Sequence, residues 1–119
     1  MNTKTVVIAE DESLIRLLVA GAMTDAGFDV LEAGHAEEAL RHLQSRFATI
    51  HLLFTDINMP GEMTGLALAR YVRETWPHVA LLITSGQLPA EELPAGSVFL
   101  TKPYETGHAV AHARALTGD

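Results

Sequence analysis

No cysteine occurs in this chain of 119 residues, which rules out a disulfide framework, a thiol nucleophile and a cysteine zinc site. That absence fits a reducing compartment, and a cytoplasmic location is expected. Basic residues are few as well. The chain has 8 lysines and arginines against 15 acids, for a formal net charge of −7, and no basic run. Direct binding to nucleic acid is therefore not expected. No apolar stretch reaches the length that crosses a bilayer; even the helix-like segment Leu14–Met23 is too short and carries Arg16. The short polar N-terminus enters a strand-like run almost at once and does not read as a signal peptide. The excess of acid has two readings, general solubility or negative charge focused at a cation site.

What is present is the material of one domain with a sizeable core, 48% of it hydrophobic. Strand-like and helix-like segments alternate. Thr5–Ala9, Phe28–Ala33, Leu52–Thr55, Ala80–Thr84 and Val98–Leu100 read as strands. Ser13–Ala26, His35–Ser45, Leu66–Thr75 and Glu105–Leu116 read as helices. Ser13 is the expected N-cap of the first helix and Gly27 its stop. Ala36, Ala39, Leu40 and Leu43 share one helix face. The apolar runs do not alternate strictly with polar residues, which suits strands covered on both faces. The pattern predicts a doubly wound α/β sandwich around a five-stranded parallel sheet. A helix is due between the fourth and fifth strands, but the residues there are Gln-Leu-Pro-Ala-Glu-Glu-Leu-Pro-Ala-Gly. Pro89 can start a helix and Pro94 stops it almost at once, so a single turn or an irregular loop is expected.

Chemistry gathers where the strands run out. The first strand leads into Glu10-Asp11-Glu12, the third ends at Asp56, the fourth leads into Thr84-Ser85-Gly86 and the fifth into Thr101-Lys102-Pro103. In doubly wound sheets, ligands bind beyond the carboxyl ends of the strands. That rule brings Glu10, Asp11, Asp56, Ser85 and Lys102 to one edge. Close carboxylates repel unless a cation neutralises them, and a hard divalent cation prefers such oxygen ligands. A hydroxyl and an ammonium beside them suit a transferred phosphoryl group, which needs positioning and charge stabilisation.

In order and spacing, these motifs resemble the receiver domain of bacterial two-component response regulators over nearly the whole chain. They are the acidic cluster after the first strand, Asp-Ile-Asn-Met-Pro-Gly from Asp56, Thr-Ser-Gly from Thr84 and Thr-Lys-Pro-Tyr from Thr101. The resemblance implies the strand order 2-1-3-4-5 and a phosphoacceptor role for Asp56. The donor would be a phosphohistidine on a histidine kinase or histidine phosphotransfer protein. Asp11 would bind Mg²⁺ directly, Glu10 beside it, often through water, and Asn58 through its backbone carbonyl. Lys102 would pair with a phosphoryl oxygen. Ser85 would give its hydroxyl to the new phosphoryl group, with Thr84 as the rival. Phe99 falls at an aromatic position that changes rotamer in the family's switch, and it also reads as a plain core aromatic. A cis Lys102–Pro103 bond is expected. Glu10 departs from the family, which usually has Asp there. The short segment from Ser85 to Lys102 puts the family's usual dimer in doubt.

The first helix is apolar on more than one side, with Leu14, Ile15, Leu17, Leu18 and Val19. It reads either as deeply buried or as a stripe, chiefly Leu14, Ile15 and Leu18, on which a donor helix docks. His108 and His112 have a spacing that permits metal binding, but no further ligand is evident. The reading is a receiver domain over residues 1–119, with no output domain. It would not be an enzyme beyond its own phosphorylation and dephosphorylation, and it would signal to an unknown downstream protein. Two alternatives stand beside it. One is a Mg²⁺-dependent aspartyl phosphohydrolase, disfavoured because Asn58 cannot protonate a leaving group. The other is a receiver-fold binding module without phosphorylation.

Overall fold

The computed structural model describes residues 3–118. Its elements run β1 (Thr5–Ala9), α1 (Ser13–Asp25), β2 (Asp29–Ala33), α2 (Ala36–Arg46), β3 (Ile50–Asp56), α3 (Gly65–Thr75), β4 (Ala80–Ser85), β5 (Val98–Thr101) and α4 (Thr106–Thr117). All strand pairings are parallel, in the order β2-β1-β3-β4-β5. The expected doubly wound sandwich is therefore present.

Side-chain alternation divides the core between two layers. Val7, Ala9, Leu53, Leu81 and Ile83 pack with Ala36, Ala39 and Leu43 of α2 and Leu68, Ala69 and Val72 of α3. Val6, Ile8, Leu52, Phe54 and Leu82 face the other way, toward Val19, Ala20 and Met23 of α1 and Ala109 and Ala113 of α4. Both faces of the central strands are covered, which explains their unbroken apolar runs.

Two local readings change. Glu12, not Ser13, is the N-cap of α1, and no side chain caps that end. Ser13 already has helical geometry and is exposed. The chain leaves the acidic turn one residue before the first residue suited to capping. Strand β3 begins at Ile50 rather than Leu52, because the pairing with β1 shifts between Thr5 and Val6 and takes in His51 as an extra residue. The imidazole serves the irregularity: its Nδ1 accepts a hydrogen bond from the Thr5 N–H at 3.2 Å, and burial pushes its pKa down. Between the fourth and fifth strands the expectation holds: β4 passes to β5 with no helix between them. Pro89 starts nothing, and residues 86–97 form an irregular loop. Arg70 of α3 tethers this loop through Glu91 Oε2 at 3.1 Å and the Glu92 carbonyl at 3.0 Å. Leu93 from the loop packs against the α2/α3 layer. The helix stop at Gly27 is as expected, with φ +99° just after α1.

Candidate functional site

Parallel register assembles the site. Ala9 lies opposite Thr55, Asp56 opposite Thr84 and Ser85 opposite Thr101. Glu10, Asp56, Ser85 and Lys102 therefore leave the sheet at one edge. Backbone hydrogen bonds extend the ladder one step further, from Ile57 N–H to the Thr84 carbonyl and from Lys102 N–H to the Ser85 carbonyl, both at 2.9 Å.

Glu10 and Asp56 are nearly buried, at 3% and 5% exposure, while Asp11 is exposed. One carboxylate oxygen from each of the three lies within 4.8 Å of the others. Oxygen-only donors gathered this closely suit a hard divalent cation. Lys102 Nζ stands 2.6 Å from Glu10 Oε1 and 2.6 Å from Asp56 Oδ2. Burial works against its charge, yet the hydrogen bonds to Asp56 and Glu10 and their negative charges outweigh it and hold Lys102 above the ordinary lysine range. Burial raises the pKa of Glu10 above the usual carboxylate value, although Lys102 and the Glu12 N–H at Oε2 pull the other way. Two buried acids sharing one ammonium leave negative charge unbalanced, which a cation would offset.

Asn58 N–H donates to Asp56 Oδ1 at 3.1 Å, fixing the carboxylate from its loop side. The Ser85 hydroxyl faces the same space and accepts from Asn58 Nδ2 at 3.4 Å and from Gln87 N–H at 3.2 Å. Thr84 points elsewhere: its hydroxyl donates to the Leu100 carbonyl at 2.6 Å. Of the two rivals, Ser85 is the one at the site. Phe99 is half-buried against the α2/α3 layer. The Lys102–Pro103 peptide is cis. His108 and His112 belong to no metal-binding group among the described residues.

On α1, Leu14 and Leu18 are exposed at 67% and 58%, with Leu17 beside them, while Ile15 is half-buried. Ile15 and Leu18 line a groove of about 410 Å³ together with Glu12, Gly86, Lys102, Pro103, Tyr104 and Thr106. This apolar groove opens beside the ammonium of Lys102.

Several contributors were not legible in the sequence. Tyr104 packs on Phe54, with ring centroids 5.6 Å apart, and burial, helped by the charge of Glu10, pushes its phenol up to about 12. Its place directly after Lys-Pro was the available signal. Glu37 at the start of α2 reaches across to accept from the Glu62 and Met63 N–H groups, each at 3.1 Å, clasping the loop that follows Asp56. Gly65 opens α3 directly beneath the end of β3: a Cβ there would lie 1.6 Å from the Asp56 carbonyl oxygen. Long-range contacts of this kind leave no spacing pattern.

The comparisons agree with this geometry. Residues 6–114 match the family described as response regulator receiver domain. The chain is 33% identical to the sensor kinase CckA of Brucella abortus over 87% of its own length and 11% of that protein. It is 31% identical to the response regulator receiver protein CpdR of the same organism, over 85% of this chain and 86% of CpdR. It spans about half of the Escherichia coli aerobic respiration control protein ArcA, 49% of whose length it covers. Among solved structures, a response regulator receiver protein from Sinorhizobium medicae superposes with a TM-score of 0.87 at 28% identity, covering 98% of this chain and 95% of that one. No helix among the described residues is long and apolar enough to cross a membrane. With a family match over nearly its whole length and the acidic edge assembled as described, this chain belongs to the response regulator receiver domain family.

Proposed function

We propose that the chain is a phosphoryl-accepting regulator of a two-component pathway, with Asp56 as the acceptor. An Asp56 carboxylate oxygen attacks the phosphorus of a phosphohistidine on a histidine kinase or phosphotransfer protein. The P–N bond breaks and the imidazole leaves with the electron pair. Water later attacks the acyl phosphate, returning the carboxylate and inorganic phosphate. Glu10, Asp11, Asp56 and the Asn58 carbonyl would hold Mg²⁺, whose bound form neutralises the charge on the transferring group. Lys102 offsets charge on a phosphoryl oxygen. Ser85 gives its hydroxyl to the phosphoryl group, and its inward shift together with Phe99 biases a two-state equilibrium read by a downstream protein. The apolar groove of Ile15 and Leu18 receives the donor. The likeness to CpdR, named a response regulator receiver protein, supports the regulatory role. The work is stoichiometric rather than catalytic on an external substrate, and its cytoplasmic setting is that of the donor histidine.

The observation that carries this reading is the triangle in which Lys102 sits 2.6 Å from both Glu10 and Asp56, beside a third carboxylate and the Ser85 hydroxyl. Its test is intact-protein mass after incubation with acetyl phosphate and Mg²⁺. One added phosphoryl group is expected, absent in EDTA and in Asp56→Ala. Steady turnover of phosphomonoesters instead would indicate a hydrolase. Neither labelling nor Mg²⁺ binding would indicate a binding module.

A further inference from the structure

We propose that Arg16 is a positioning residue for the acidic pair, acting on Asp11 through the peptide that joins it to Glu10. The inference rests on the metal site of the proposed function. Three consecutive acids, Glu10, Asp11 and Glu12, form the turn between β1 and α1, and the helix that follows has no side-chain cap. Something must hold a turn whose own charges repel. Glu10 N–H is fixed by the Ala33 carbonyl at 3.0 Å. The Glu10 carbonyl is fixed by Arg16 Nη1 at 2.7 Å, a short charge-assisted bond. Arg16 is itself anchored from β2, where its Nε donates to Glu32 Oε1 at 3.2 Å. One guanidinium thus ties the acidic turn to the neighbouring strand at two points.

The site's ion pairs and hydrogen bonds fall on Glu10 and Asp56. The exposed Asp11 carboxylate takes its place from its own backbone. Its N–H belongs to the peptide whose carbonyl Arg16 holds, so Arg16 sets the plane from which Asp11 projects. The guanidinium also carries a positive charge near a cation site, and that effect alone would weaken metal binding. The two effects have opposite signs, and Glu32 balances much of the charge while leaving the geometry in place. Positioning is therefore the dominant effect. Lysine cannot replace it, because one ammonium does not reproduce a fork that bonds a carbonyl and a carboxylate in fixed directions.

The test is calorimetric titration with Mg²⁺ of the parent protein, Arg16→Ala, Arg16→Lys and Glu32→Gln, with thermal melts of each in EDTA. Losing a residue that orients a metal ligand typically costs about 10–100-fold in affinity. Both Arg16 variants are expected to bind at least about tenfold more weakly. Glu32→Gln should fall in between. Acetyl phosphate labelling should return toward the parent rate at saturating Mg²⁺, which a general loss of structure would not allow. Unchanged or tighter Mg²⁺ binding in folded Arg16→Ala would overturn the proposal and leave only the charge effect. If Arg16→Ala does not fold, Arg16→Lys and Glu32→Gln decide by the same criterion. A parent protein that binds no Mg²⁺ overturns the functional reading and this inference with it, whereas a parent that binds alongside equally competent variants overturns only this inference.

Discussion

At the scale of single residues, the site combines groups that sequence position announces with groups that only folding brings near. Asp56, Glu10, Asp11, Ser85 and Lys102 could be named from the sequence because each stands where an apolar run ends, and parallel strands bring such ends to one edge. Arg16 and Glu37 could not. Arg16 bonds back to the turn before its helix and across to Glu32 of β2, Glu37 bonds the loop after Asp56, and nothing in their own neighbours marks either residue. Gly65 is of the second kind, and its constraint is steric. The first residue of α3 lies against the carbonyl of Asp56, where a Cβ would be 1.6 Å from the oxygen. The obstacle is backbone rather than a flexible side-chain tip, so relief requires moving α3 or the end of β3. Gly65→Ala is expected to destabilise the protein by about 3 kcal/mol, at the upper end of ordinary overpacking, as read from urea unfolding. Labelling of Asp56 by acetyl phosphate should fall in the same variant. Thr64 gives the contrast one residue earlier. Its hydroxyl accepts from Ala67 N–H at 3.0 Å as the N-cap of α3, so Thr64→Ala should cost only about 1 kcal/mol and leave labelling intact.

At the scale of elements, α1 shows what an apolar pattern can and cannot tell. The sequence gives a helix with too many leucines for one face, consistent either with deep burial or with an exposed stripe. The fold settles the question of burial: the sheet and α4 share one core layer with Val19, Ala20 and Met23. Leu14, Leu17 and Leu18 are left in solvent at spacings that place them on one face. An exposed apolar face beside the acidic edge is a place for a partner to bury surface. Ile15→Glu puts a charge in the groove without touching Asp56 or the carboxylates. It is expected to slow phosphotransfer from the cognate histidine donor by about tenfold, equivalent to roughly 1.4 kcal/mol of binding. Labelling by acetyl phosphate, which needs no docking, should be unchanged; equal loss from both donors would contradict the docking role. The missing helix between β4 and β5 was also legible, because Pro89 and Pro94 leave room for no more than a turn. The Arg70 tether that holds the resulting loop was not, since it depends on α3 lying alongside.

At the scale of the whole molecule, a net charge of −7 meets a sheet edge that already collects three carboxylates. Solubility alone would spread that charge over the surface. Here two of the acids are nearly buried, and burial holds Glu10 above its ordinary pKa. Without a cation, the folded state therefore bears unfavourable charge that the unfolded chain does not, so a bound cation should appear as stability. A ligand present at 100 times its dissociation constant and bound only by the folded state adds about 2.7 kcal/mol. Mg²⁺ at such a concentration should raise the melting temperature by several degrees. Sodium chloride at equal ionic strength screens the general repulsion but cannot bridge the carboxylates, so its effect should be smaller. The decisive comparison is Asp11→Asn, measured in both salts. It keeps the fold and nearly all of the net charge while removing one oxygen ligand. If the acids serve a cation site, this variant loses the extra stabilisation by Mg²⁺ and keeps the response to sodium chloride. If the charge serves solubility alone, Mg²⁺ and matched sodium chloride will stabilise the parent and the variant alike.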